Sequence, residues 1–373
     1  MNAGETAVTI VLGTRPEIIK LAPVIDACER SDVGYSVIHT GQHYSDELDT
    51  VFFDQLELPT PDHNLGIGSD SHSAQTGAMI GAIEEVLLDE SPDVVLVQGD
   101  TNSVLAGSVA ASKLDCEVGH VEAGLRSFDR SMPEEINRVF ADHAADHLFA
   151  PTEQAAQYLR EEGIPVERIT VTGNTIVDAV TRYRDLAAEK SQVLDAHDLT
   201  AGEFCLLTAH RAENVDDAER FSSLLRGVAE FAARSELDVI YPVHPRARDR
   251  IDAFDIDVPD EIRLTEAQDF LDFLRLESTA QLVFTDSGGV QEEACILGTP
   301  CVTLRDNTER PETVAVDANR IVGVEPAEIV AGAREALDTS TDWENPFGDG
   351  RSAERILDAV GLGPAASVEG VTG

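Results

Sequence analysis

The sequence predicts an α/β protein made of two Rossmann-like, doubly wound domains. Two observations carry that expectation: short β-rich apolar runs alternate with segments of helix length, and the alternation begins afresh near residue 170. A third is length, because 373 residues exceed what one ordinary core supports. In the first series the strands are "TAVTIVLG", "YSVIHTG", "DVVLVQGD", "EVGHVEAG" and "HLFAPT". The second opens with "ITVTGN" and runs through "FCLLTAH", "DVIYPVH", "EIRLTEA", "LVFTDSG" and "CVTLRD". Alternation of this kind predicts parallel sheets with helices on both faces. A final helix is expected over "RSAERILDAVG", able to pack on either domain, with a disordered tail "GPAASVEGVTG" behind it. The domains are drawn at 1–170, joined by the C-terminal helix 350–373, and at 171–349.

Charge narrows the partners. Seventy acidic against 27 basic residues leave a formal charge of −43, which in ordinary salt repels the compact state and disfavours nucleic acid or an anionic membrane. Only Lys20, Lys113 and Lys190 are lysines. An acid-rich, lysine-poor surface resembles that of proteins from salt-accumulating halophiles, and predicts a high-salt cytoplasm as the working medium. Cys28, Cys116, Cys205, Cys295 and Cys301 are odd in number and lack CxxC spacing, so buried reduced thiols are expected. The run "TAVTIVL" is too short for a membrane span and has no basic leader, so it is read as a first strand.

Polar and ionisable residues collect where the strands end, the crevice in which open α/β sheets bind ligands. After the first strand comes "GTRPEIIK": Gly13 permits a tight turn, Pro16 suits the first helical position, and Arg15 and Lys20 flank a helix entry, as an anion site requires. No GxGxxG follows, so no nicotinamide cofactor is inferred. In "TDSGGVQEEA", Ser287, Gly288 and Gly289 precede a helix expected from about Val290, where free amides and the helix dipole suit a diphosphate. Glu292 and Glu293 would repel phosphate, so either is better used on ribose hydroxyls. Arg310 offers further charge for phosphate, while Gln268 and Phe273 could bond to and stack on a base, although spacing alone places Phe273 in the core.

Carboxylates mark the first series. Asp100 and Glu122 stand at successive strand ends, and Glu134 and Glu135 follow Pro133. Asp100 could simply cap the next helix, and Glu134 could pair with Arg138 at i,i+4. Glu122 needs a partner, since its surroundings are apolar. His210 and His244 end strands of the second series; His143 and His147 are expected on one helix face without a third ligand, so no metal is assigned.

Taken together, "GTRPEIIKLAP", "TGQHY", "QGDT", "GHVEAGLRS", "PEEINR", "TGNTIVDA", "AHRAEN", "YPVHP", "TDSGGVQEEA" and "RDNTERPE" resemble, in order and over nearly the whole chain, the non-hydrolysing UDP-N-acetylglucosamine 2-epimerases. The resemblance implies a GT-B type fold, two Rossmann-like domains facing a central cleft, and a homodimer, while the cysteines point to the cytoplasm. It implies that Arg15, Lys20, Asp100, Glu122, His210, Gln268, Phe273, Ser287, Gly288, Gly289, Glu293 and Arg310 bind the UDP-sugar, with Gln268 and Phe273 on the uridine side and Glu293 on the ribose. It further implies conversion of UDP-N-acetylglucosamine to UDP-N-acetylmannosamine without a cofactor, by elimination of UDP to a 2-acetamidoglucal and re-addition. Asp100, Glu122, Glu134 and His210 are the expected catalytic set. Many bacterial members carry a basic or amide residue after "QH" and a second, activating substrate site. Here Tyr44 and Ser45 follow, which argues against such activation, although Arg211 and His244 still match. A hydrolysing epimerase, a glycosyltransferase of similar fold and a non-catalytic UDP-sugar sensor are the alternatives.

Overall fold

The computed structural model describes residues 6–42 and 52–363. The chain divides into two compact units, one formed by Met1–Ala179 with Phe347–Gly373 and the other by Val180–Pro346. Tyr44, Ser45 and the expected tail beyond residue 363 lie outside the described residues.

The first unit holds a parallel seven-stranded sheet: β1 (Val8–Leu12), β2 (Tyr35–His39), β3 (His63–Asn64), β4 (Val94–Gln98), β5 (Glu117–Val121), β6 (His147–Ala150) and β7 (Ile169–Val171), in the order β3-β2-β1-β4-β5-β6-β7. The second holds six parallel strands, β8 (Phe204–Thr208), β9 (Asp238–Pro242), β10 (Ile262–Thr265), β11 (Leu282–Thr285), β12 (Cys301–Thr303) and β13 (Asn319–Ile321), in the order β10-β9-β8-β11-β12-β13. In each unit the order reverses beside the first strand, the switch point at which doubly wound sheets bind ligands. "ITVTGN" does not open the second series: β7 pairs with β6 and closes the first sheet.

Alternation along the strands shows why helices cover both faces. In β8, Cys205 and Leu207 join Phe221, Val228 and Phe231 on one side, while Phe204 and Leu206 join Leu276 and Ala294 on the other. Each such buried aliphatic or aromatic side chain contributes about 1.5–3 kcal/mol. In the first unit Val11, Val95, Val97 and Val118 pack with Met79, Ile83 and Val104.

The final helix, Ser352–Ala359, belongs to the first unit, where it packs on helix Arg15–Arg30. Asp178 accepts from the Ser352 and Ala353 amides at 3.2 and 3.0 Å, satisfying donors that a helix start leaves open. The five cysteines are free; four are buried and Cys116 is half-buried.

Candidate active site

In the first unit the polar residues gather past the ends of β1, β4 and β5. Helix Arg15–Arg30 starts at the turn after β1, with Thr14 extended and a proline in its first turn. One turn in, Lys20 donates to both oxygens of Glu122 at 2.7 and 2.8 Å. Glu122 is buried just past β5, with φ of 69°, a left-handed conformation uncommon outside glycine and concentrated at functional sites. Gln98, the last residue of β4, also donates to Glu122. The partner that its burial demands is therefore a cation on the helix that follows another strand. Arg15 lies over the Phe52 ring, 5.3 Å from its centroid.

Asp100 does not cap the next helix. Thr101 does, accepting from the Val104 amide, while Asp100 pairs with Arg138. Arg138 in turn binds Glu135 at 3.0 Å, and Asn137 donates to the Asp100 carbonyl at 2.9 Å. The expected Glu134–Arg138 pair is thus replaced by Glu135–Arg138 and Asp100–Arg138, because Glu135 faces inward and Glu134 is exposed in the first helical turn. Glu135 also accepts from the amides of Ser127 and Phe128, at 2.9 and 3.0 Å. Burial opposes its ionisation, but these hydrogen bonds and Arg138 hold its carboxyl below the usual range.

In the second unit Asp286, past the end of β11, is fully buried and binds the start of the segment after β8. It accepts from the His210 amide at 3.0 Å, the Arg211 amide at 2.9 Å and Asn214 Nδ2 at 3.1 Å. The His210 ring sits 5.4 Å from that of His244. Burial, with His244, Arg211 and Arg246, pushes the His210 pKa down against the pull of Asp286, so the ring is neutral at neutral pH.

Helix Gly288–Leu297 begins two residues earlier than the sequence suggests, with Ser287 extended at its N-cap and making no side-chain capping bond. Gly288 and Gly289 therefore occupy the first turn, where amides lack intrahelical acceptors. A Cβ on Gly288 would stand 3.8 Å from Glu309 and 4.0 Å from Arg310, which places the arginine beside this turn. Arg310 binds Glu292 at 2.6 Å. Glu293 is half-buried on the same helix. The loop before Arg310 is fixed by Arg305, whose bonds to Glu309 push that carboxyl down to about 2. Gln268 donates to the Glu266 carbonyl at 2.7 Å, and Phe273, half-buried, leans on the core as its spacing suggests.

His143 and His147 do not share a helix. The helix ends at Ala144, and His147 begins β6 with Glu117 2.7 Å away. Among the described residues no three His, Cys, Asp or Glu side chains form a metal-binding group.

Sequence reasoning missed Gln98, Asp286 and the bond from Arg138 to Asp100. Asp286 alone left a signal, as an acidic residue directly after an apolar strand.

A family model described as UDP-N-acetylglucosamine 2-epimerase matches residues 26–361. The chain is 50% identical over 355 residues to the UDP-N-acetylglucosamine 2-epimerase of Methanocaldococcus jannaschii, covering 94% of this chain and 97% of that one. A crystal structure of the M. jannaschii enzyme in complex with UDP-GlcNAc and UDP aligns with a TM-score of 0.82 at 50% identity, over 96% of this chain and all of the other. A UDP-2,3-diacetamido-2,3-dideoxy-D-glucuronate 2-epimerase from Pseudomonas aeruginosa is 39% identical over 352 residues, 93% of this chain and 97% of its own length.

Proposed function

The chain belongs to the UDP-N-acetylglucosamine 2-epimerase family, and from that premise we propose that it interconverts UDP-N-acetylglucosamine and UDP-N-acetylmannosamine. The observation that carries the reading is Glu122, a buried carboxylate held at a strand end by Lys20 and Gln98, with Asp100 at the neighbouring strand end.

Carbon 2 of the sugar has no adjacent carbonyl, so its proton is hard to remove directly. Cleaving the bond from carbon 1 to UDP builds oxocarbenium character that acidifies the carbon 2 hydrogen. Loss of that proton gives a 2-acetamidoglucal and UDP. Protonation from the opposite face, with return of UDP to carbon 1, gives the epimer and restores every atom. Ser287, the Gly288 and Gly289 amides and Arg310 are assigned to the diphosphate, and neutral His210 to a hydrogen bond on it. Gln268 and Phe273 serve the uridine and Glu293 the ribose, while Arg15 and Lys20 answer charge from the first unit. Asp100, Glu122 and Glu134 are the groups available for proton removal and return.

The working medium we assign is a salt-rich cytoplasm, supported by the charge of −43 and by five free cysteines. A homodimer fits the exposed faces of the first unit. Helix His72–Glu90 presents Ala74, Gly77, Ala78, Gly81 and Leu88 to solvent, and helix Pro133–Ala144 presents Phe140. Sedimentation in concentrated KCl reads the mass, and a monomer there would rule the dimer out.

The reaction is tested with UDP-N-acetylglucosamine in concentrated KCl and deuterated water. UDP-N-acetylmannosamine with deuterium at carbon 2 is expected. Free N-acetylmannosamine with UDP would mean hydrolysis, and UDP binding without turnover would mean a sensor or a transferase. Glu122→Gln should nearly abolish turnover and retain UDP binding; near-native activity would remove Glu122 from the proton transfer.

A further inference from the structure

One residue before the end of β5 stands a histidine with no part in the assignments above. His120 has no solvent exposure, yet both ring nitrogens have partners. Nδ1 lies 2.7 Å from Asp142 Oδ1, and Nε2 lies 2.8 Å from the carbonyl oxygen of Gly99. A carbonyl oxygen only accepts, so Nε2 carries a proton. Asp142 already accepts from the Gly124 amide at 3.2 Å and from Arg126 at 2.7 Å, which makes it an ionised acceptor for Nδ1 as well. A ring that donates at both nitrogens is an imidazolium. Burial alone opposes that charge, but Asp142, the Gly99 carbonyl and Glu122 together keep the ring's pKa above its ordinary value. Beyond Asp142 the alternation of charge continues through Arg126 to Glu162, 2.7 Å away.

The position of this charge gives it a role. Gly99, with φ of 85°, makes the turn between Gln98, which donates to Glu122, and Asp100, which pairs with Arg138. On the adjoining strand His120 stands two residues before Glu122 and opposite Val97. One ring thus ties the turn carrying Asp100 to the strand carrying Glu122. We propose that His120 is a positively charged positioning residue for the epimerase reaction, clamping the Gly99 carbonyl so that Asp100 and Glu122 keep one mutual geometry against a buried positive charge. The proposal rests on the reaction assigned above, whereas the charge on the ring stands apart from it.

Two measurements on the full chain test it. Nitrogen-15 spectra of histidine-labelled protein at about pH 8, where an ordinary histidine is neutral, should show one solvent-protected ring with both nitrogens protonated, missing in His120→Gln. A neutral His120 tautomer there overturns the charge. His120→Gln keeps one donor without the charge and should lower kcat about 10- to 100-fold with KM and UDP affinity within about twofold. His120→Phe, with neither donor, should lose more. Unchanged kcat, or kcat and UDP binding falling together with the folded fraction, overturns the positioning role. Should the His120 variants not fold, Asp142→Asn, which keeps an acceptor for Nδ1 and removes its charge, is expected to show the same split. Wild-type turnover is measured alongside: its absence refutes the assigned reaction, while the spectrum still decides the protonation of His120.

Discussion

At Glu17, in the first turn of helix Arg15–Arg30, two strand ends meet. Its buried carboxyl accepts from the Gly13 amide at 3.2 Å and from the Thr101 hydroxyl at 2.8 Å, with Asp100 nearby. Burial outweighs those hydrogen bonds and, with Asp100, pushes the pKa up from 4.5 to about 7. Between these values the folded protein keeps a proton that the unfolded chain has released. Stability therefore falls as pH rises through that window, and the cost, about 3 kcal/mol, is complete above pH 7. Glu17→Gln cannot ionise, so urea unfolding should show wild type losing about 3 kcal/mol relative to the variant between pH 4.5 and 8. A difference independent of pH would show that Glu17 ionises normally. The sequence exposes such residues unevenly. Glu122 is conspicuous as a carboxylate in an apolar run, but its partner Lys20 lies 102 positions earlier, on a helix that only folding brings beside it. His120 looks like one more residue of a β-rich run, and its role depends on a carbonyl of the neighbouring strand.

At the scale of elements, the turn after β5 depends on Gly124. Its φ of 81° is left-handed, and a Cβ there would come within 2.4 Å of the Ala155 carbonyl oxygen and 2.9 Å of Leu159. Its amide meanwhile donates to Asp142. Gly124→Ala should cost about 2–4 kcal/mol from backbone strain and overpacking combined, read as a lowered Tm in concentrated KCl. An unchanged Tm would show that helix Glu153–Glu161 yields freely. The longer strands were legible because each is a run of apolar residues between turn formers. Strand β3 has two residues, too few for a period to register, and β13 is Asn319, Arg320 and Ile321, with no apolar run to mark it. The placing of β7 was misjudged because a local pattern marks a strand without naming the neighbour it will pair with. Arg138 illustrates the same limit, since spacing permits Glu134 and Glu135 alike and only the buried side of the helix decides.

Across the whole molecule, the charge of −43 makes ionic strength part of the stability. Screening reaches only about 10 Å at 0.1 M salt and shortens further as salt is added, so like charges on this surface cease to repel in molar KCl. Transfer from molar KCl to about 50 mM should lower Tm by roughly 10 °C or more, followed by calorimetry or circular dichroism. Fold and activity retained in dilute buffer would show that the acidic surface serves solubility alone. The first unit is completed by helix Ser352–Ala359, which reaches helix Arg15–Arg30, whereas the second unit is one continuous segment. During synthesis the second unit can condense as soon as its own residues have left the ribosome. The first has all seven of its strands before the second is made, yet helix Arg15–Arg30 stays uncovered on one side until the closing helix emerges behind the second unit to be capped by Asp178. The carboxylate-bearing half of the enzyme is begun first and finished last.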